Sequence, residues 1–131
     1  MTSSNYSLCL LNGQVMIGNQ LISTNIYVDA GKIALISDKK IEAEEIIDCS
    51  NLIILPGVID SQVHFREPGL EGKETLSSGM LAAIAGGVTS IFEMPNTNPL
   101  TITPETIEDK LSRASKAPWS DYAFYLGGTM R

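Results

Sequence analysis

The 131 residues contain one histidine, His64, and the residues around it are of types that bind metals and anions. It lies in the stretch Ile59-Asp60-Ser61-Gln62-Val63-His64-Phe65-Arg66-Glu67-Pro68-Gly69. Side chains two apart on a strand share a face, so Gln62 and His64 are expected to point the same way. An imidazole is a good zinc ligand. A carboxamide oxygen is neutral and a weaker donor to such an ion. The triplet therefore reads as half of a metal pair, with His64 as the ligand and Gln62 at the other position. The plainer reading of a lone histidine is a hydrogen-bonded core residue, and the neighbours argue against it. Arg66 follows two residues later, and its planar fork suits bidentate binding of a carboxylate. A surface ion pair is the plainer role for it. Asn96, in Met94-Pro95-Asn96-Thr97-Asn98-Pro99, offers an amide donor to a carboxylate or ring carbonyl. Taken locally, it would be a turn former in a proline-stiffened loop. Asp60 sits one step deeper on the His64 face and reads as structural, accepting hydrogen bonds from the backbone or from Gln62. Glu71, Lys73 and Glu74 read as solvated charge. No residue of the chain stands out as a general base.

Two different patterns of hydrophobicity must position these residues. Residues 1–56 read as a small β-sandwich segment. Tyr6 to Met16 reads as β through Leu8, Leu10 and Leu11, with a turn at Gly13. Leu21 to Val28 follows with the period-two alternation of a half-buried strand. Asp29-Ala30-Gly31-Lys32 is a turn into a return strand, Ile33 to Ile36. Glu45 to Asp48 and Leu52 to Leu55 are two short strands, and Pro56-Gly57 punctuates the chain. Residues 57–131 read as β-α-β-α-β. Val58 to Phe65 is a strand. Thr75 to Ala85 is a helix with Leu76, Met80, Leu81 and Ile84 on one stripe, stopped by Gly86-Gly87. Val88 to Met94 suits a buried parallel strand. Thr103 is a good N-cap and Pro104 fits the first helical position of a helix reaching Arg113. Ile107 and Leu111 share a face of that helix, and Asp109 sits four residues before Arg113. Tyr122 to Leu126 is the last strand. Parallel strands of this kind belong to an open sheet or to a barrel, whose active site sits at the C-terminal ends of the strands. The glycine-rich dinucleotide fingerprint is missing after each strand. A full eight-stranded barrel takes about 250 residues, so three strands cannot close one.

Composition bounds the function. A chain 44% hydrophobic and 18% charged can build a core. The net charge of −6, with no basic stripe, argues against a nucleic-acid footprint. No apolar run reaches the roughly 20 residues of a membrane span. The first residues lack the form of a signal peptide. Cys9 and Cys49, far apart and without CxxC spacing, read as reduced thiols of a cytoplasmic protein.

Three blocks extend the pattern along the chain. The first is Asp29-Ala30-Gly31-Lys32-Ile33 leading to Pro56-Gly57-Val58-Ile59-Asp60. The second is His64 to Gly69. The third is Ala85-Gly86-Gly87-Val88-Thr89 running to Met94-Pro95-Asn96-Thr97-Asn98-Pro99. In order and spacing they resemble the N-terminal portion of a dihydroorotase of the amidohydrolase superfamily. The Met-Pro-Asn-Thr block is the most specific of the three. The resemblance implies an α/β chain, a small β-sandwich beside the start of a TIM-like (β/α)8 metal-dependent hydrolase barrel. It implies reversible hydrolysis of dihydroorotate to N-carbamoyl-aspartate in pyrimidine synthesis, with one or two zinc-like divalent ions. His64 would then be a metal ligand, and Arg66 and Asn96 would grip the substrate carboxylate. The family has histidine where this chain has Gln62. Its bridging carboxylate or carbamylated lysine, later histidines and catalytic aspartate are expected beyond Arg131, so the chain alone is expected to be inactive, as a piece of a longer enzyme. Two other readings stand beside this one. One is a non-catalytic dihydroorotase-like partner of aspartate transcarbamoylase, motivated by Gln62. The other is a different cyclic amidohydrolase, such as an allantoinase. Exposed strand edges also suggest a homo-oligomer.

Overall fold

The computed structural model describes residues 6–128. The chain divides into two compact units, Met1–Pro56 and Gly57–Arg131.

The first unit is built around one long strand. β1 (Leu8–Ile17) pairs antiparallel with β2 (Gln20–Asp29), which pairs antiparallel with β3 (Lys32–Ser37). On its other edge β1 pairs in parallel with β4 (Glu45–Asp48) through Leu8–Leu11 and with β5 (Ile53–Ile54) through Gln14–Val15. The β2–β3 turn places Ala30 at φ 48° and Gly31 at φ 73°, the two left-handed residues of a tight hairpin. All five strands join one mixed sheet. β4 and β5 both add to the free edge of β1. Cys9, Val15, Ile26, Tyr27 and Cys49 are its buried apolar side chains, and both cysteines are free thiols. Tyr27 carries its hydroxyl inside because the group is satisfied: it donates to Lys39 O (2.7 Å) and accepts from Ile41 N (2.9 Å).

The second unit is the incomplete start of a TIM-barrel-like fold. β6 (Val58–Val63), β7 (Val88–Glu93) and β8 (Asp121–Phe124) form a parallel sheet in chain order. Two helices connect them, α1 (Leu76–Ala85) and α2 (Pro104–Ala114). Both helices begin on a threonine cap. Thr75 accepts from Ser78 N, Thr103 accepts from Thr106 N, and each partner hydroxyl bonds back to the cap's own N–H. Gly86 follows α1, and Gly87 takes the left-handed conformation that turns the chain into β7. Phe65, Leu76, Met80, Ile91 and Ala114 form the core, with Val63, Val88, Tyr122 and Phe124 packed against it. Gly79 lets α1 approach the Phe65 ring, since a Cβ there would press on the ring carbons.

The helix faces differ from the sequence pattern in two places. On α1, Leu76 and Met80 are buried, but Leu81 is 49% exposed and Ile84 is 39% exposed. On α2 the inward residues are Lys110 and Ala114, while Leu111 faces outward. A buried carboxylate explains the lysine, as the site geometry shows.

Candidate active site at the strand ends

β6 ends at Val63, so His64 lies one residue past the strand rather than inside it. The strand also slips before that point. Asp60 pairs with Ile91 and Val63 with Glu93, so three steps on β6 match two on β7. The extra residue is a bulge, and bulges re-aim side chains beside active sites. The simple alternation that put Gln62 and His64 on one face is therefore interrupted just upstream of the pair. Asp60 Oδ1 accepts the Gln62 N–H at 3.0 Å, which pins the bulge. Among the described residues, no hydrogen bond joins the Gln62 carboxamide to His64, Arg66 or Asn96.

The loop after β6 is wound tightly. Arg66 holds φ 68°, and its carbonyl accepts Leu70 N at 3.0 Å. A left-handed arginine does not continue the strand's alternation, so the shared direction expected of His64 and Arg66 does not follow from spacing. Glu67 Oε2 accepts Leu76 N at 2.8 Å, capping α1 from outside. Arg113 on α2 reaches Glu67 at 3.3 Å and Glu71 at 3.6 Å, and its Nε donates to Asp109 at 2.7 Å. Glu71 also accepts Gly69 N at 2.9 Å, and that bond holds its carboxyl below the usual carboxylate range. It is a loop brace rather than simple solvated charge. Among the described residues, no ion pair involves Arg66.

The loop after β7 is stitched to the first. Met94 N donates to Val63 O (3.0 Å), Thr101 N to Pro95 O (2.9 Å), and Asn98 N to Pro68 O (3.0 Å). Thr97 is buried and bonds Pro99 O at 2.9 Å and the Thr101 hydroxyl at 3.1 Å. Gly69, at φ 88°, lets the two loops touch, since a Cβ there would overlap the Asn98 backbone. This stitching brings Asn96 Oδ1 to 2.8 Å from His64 Nδ1 across 32 residues of sequence. The contact was not foreseen from the sequence, which assigned the two residues separate tasks.

Beneath the site lies a buried ion pair. Glu93, the last residue of β7, pairs with Lys110 of α2, and both side chains are fully buried. Lys110 Nζ also donates to Met94 O at 3.1 Å and lies 5.5 Å from the Phe124 ring centroid. Burial pushes the Glu93 carboxyl up, and Lys110 pulls it back only in part. Among the described residues, Glu93 Oε1 has no hydrogen-bond partner of good geometry, though the Phe65 N–H and His64 lie near enough to favour the charged carboxylate. The sequence carried half a signal for this pair: a lone carboxylate in the apolar run Val88–Met94 needs a cation if buried, but nothing local selects Lys110 as that cation.

His64, Arg66 and Asn96 therefore gather on the loops at the C-terminal ends of β6 and β7. Together they present an imidazole, a free cation and an amide. As a metal centre the donor set is partial. The described residues contain no group of three His, Cys, Asp or Glu side chains that could hold an ion. A tetrahedral zinc site needs three or four ligands. Among the described residues, no helix is long and apolar enough to cross a membrane.

Comparison with known proteins finds a match at residues 51–123 to the family described as dihydro-orotase-like. A dihydroorotase of Thermococcus kodakarensis is 41% identical over 121 residues, covering 91% of this chain and 30% of that protein. An allantoinase of Desulfitobacterium hafniense is 38% identical over 128 residues, covering 96% of this chain and 28% of that protein. The chain thus spans under a third of the relatives it matches. Among solved structures, an L-hydantoinase (dihydropyrimidinase) from Arthrobacter aurescens superposes with a TM-score of 0.89 at 30% identity, over 95% of this chain and 28% of that one. The identities of 41% and 38% do not separate dihydroorotate from allantoin chemistry.

Proposed function

Since the chain belongs to the dihydro-orotase-like family, within the amidohydrolase superfamily, we propose that it forms part of a cyclic amidohydrolase that opens dihydroorotate to N-carbamoyl-aspartate and catalyses the reverse closure. The observation that carries this reading is the contrast between two arginines. Arg113 is engaged by Glu67, Glu71 and Asp109, whereas Arg66 has no carboxylate partner among the described residues. A guanidinium with no carboxylate partner, carried two residues after His64 on a loop stitched to that of Asn96, suits a substrate carboxylate. Dihydroorotate carries that group and allantoin does not.

Arg66 binds the carboxylate and the Asn96 Nδ2 amide adds a second donor, so the ring is held in one orientation at the strand ends. Fixing the reacting carbonyl in this way lowers the entropic part of the barrier. In hydrolysis, water adds to the ring carbonyl carbon, the amide C–N bond breaks, and the leaving nitrogen takes up a proton. A zinc-like divalent ion, when bound, lowers the pKa of its water to about 7. His64 is the nitrogen ligand this chain offers it, with Gln62 a weak neighbour. No residue of this chain is assigned the proton transfer.

The test is a parallel assay of dihydroorotate and allantoin ring opening by the zinc-supplemented longer enzyme that contains this chain and by its Arg66→Leu variant. The expected result is dihydroorotate turnover that falls on the order of 100-fold in kcat/KM with Arg66→Leu, about the worth of one buried charge pair. The allantoinase relative favours a second reading, hydrolysis of an uncharged ring. Turnover of allantoin that is indifferent to Arg66→Leu would replace the first reading with the second.

A further inference from the structure

We infer that Asn96 is the positioning residue of His64: its side-chain carbonyl holds the imidazole in the Nδ1–H form and leaves the Nε2 lone pair facing a ligand. The argument begins with the 2.8 Å separation of His64 Nδ1 and Asn96 Oδ1. A carboxamide oxygen carries no proton, so the ring nitrogen must donate. A neutral imidazole has one N–H, and once Nδ1 carries it, Nε2 is the acceptor. An orienting partner on one ring nitrogen is what sets which nitrogen is free to coordinate.

The contact is held from below on both sides. His64 follows Val63, whose carbonyl accepts Met94 N. Asn96 follows Met94, whose carbonyl accepts from the buried Lys110. On its far side the loop is tied by Thr101 N to Pro95 O and by Asn98 N to Pro68 O. The two side chains thus stand on neighbouring strand ends in fixed register, and their meeting does not depend on two freely moving surface groups. Occupying Oδ1 also sets the amide's other end. Nδ2 has no partner among the described residues and remains a donor for an anion, so one side chain ties the ring's protonation pattern to ligand orientation. Turning the amide over would set Nδ2 against the ring and require the opposite tautomer.

This rests on the proposed function only in what it takes Nε2 to bind, and its test does not use turnover. His64 is the sole histidine of the chain, so two-bond 1H–15N correlation of the labelled protein reads one ring without ambiguity. Above the pH at which the imidazole loses its charge, the expected pattern is a protonated Nδ1 and an unprotonated Nε2. Asn96→Leu is expected to lose that pattern to a mixture of tautomers. Asn96→Asp, which keeps an oxygen in place, is expected to retain it. An Nε2–H form or a mixture in the unmodified protein overturns the inference. So does an unchanged pattern in Asn96→Leu. If Asn96→Leu fails to fold, Asn96→Asp decides, since loss of Nδ1–H in that folded variant also overturns it. If this chain shows the Nδ1–H pattern while the longer enzyme that contains it fails to hydrolyse dihydroorotate, the functional reading falls and this one stands.

Discussion

Arg66 pays a backbone cost to stand where it does. At φ 68° a side chain with a Cβ crowds the backbone, and such positions cost on the order of 1–3 kcal/mol. They persist where the surrounding structure holds them, often at ligand sites. Two substitutions separate backbone from charge. Arg66→Gly relieves the left-handed strain but adds chain entropy, so urea unfolding is expected to shift by less than about 1 kcal/mol. Arg66→Val is expected to destabilise by about 1–3 kcal/mol, because branching at Cβ is poorly tolerated there. Both variants should lose carboxylate binding alike. Equal stabilities for the two would show that the conformation carries no strain. Gly69 makes the complementary case. Gly69→Ala adds a Cβ at φ 88° against the Asn98 backbone, so it should destabilise by about 1–3 kcal/mol and release the His64–Asn96 contact. Unfolding midpoints and the His64 ring spectrum would read the two effects. Which side chain meets His64 is hidden in the sequence, because the partner is 32 residues away and nothing local selects it.

At the scale of elements, α2 is coupled to β7 by charge rather than by an apolar stripe alone. Removing one member of a buried pair leaves the other uncompensated, which costs about 3–5 kcal/mol. Lys110→Met should therefore destabilise by about that much at neutral pH. The pH dependence has a definite sign. The folded Glu93 carboxyl is already raised by burial, and removing Lys110 removes the strongest of the groups that pull it back, leaving His64 and the Phe65 N–H. With the folded pKa above the unfolded one, the unfolded chain holds fewer protons between them, so stability falls as pH rises through that window. Denaturation of Lys110→Met should accordingly be less impaired at about pH 4 than at about pH 8. A deficit that grows toward acid would contradict this account of Glu93. The element types were legible from the chain. Thr75 and Thr103 mark the helix starts, Pro104 the first turn, and Asp109–Arg113 the expected pair at 2.7 Å. The inward face of α2 was not, because a lysine reads as solvent-facing until its partner carboxylate is placed opposite it. The end of β6 also fell short of the expected Phe65, since the bulge and the left-handed Arg66 end the pairing at Val63.

For the molecule as a whole, one face of the β6–β7–β8 sheet carries the helices and the other carries exposed apolar side chains. Phe92 is 37% exposed and Tyr125 43%, and the two rings meet edge to face at 6.2 Å. Ile91, one residue from Phe92, is fully buried against the helix side, as strand alternation requires. β6 and β8 are both sheet edges. An uncovered apolar face with open edges favours self-association. The 131-residue chain is therefore expected to bind a hydrophobic dye and to elute above its monomer mass at micromolar concentration. Phe92→Lys, on the open face, should reduce both. A monomeric chain that ignores the dye would refute the expectation.

Residue types and local spacing were enough to establish the family and the three parallel strands of an unfinished barrel, and to single out His64, Arg66 and Asn96 as candidates. These are matters of side-chain chemistry and short-range backbone preference, which a sequence carries directly. Only the tertiary structure decided that Asn96 meets His64, that Glu67 and Glu71 go to Arg113 and not to Arg66, and that Lys110 turns inward to Glu93. Each of those pairings spans a loop or a helix, and its energy depends on burial and register, quantities that exist only once the strands have been set side by side.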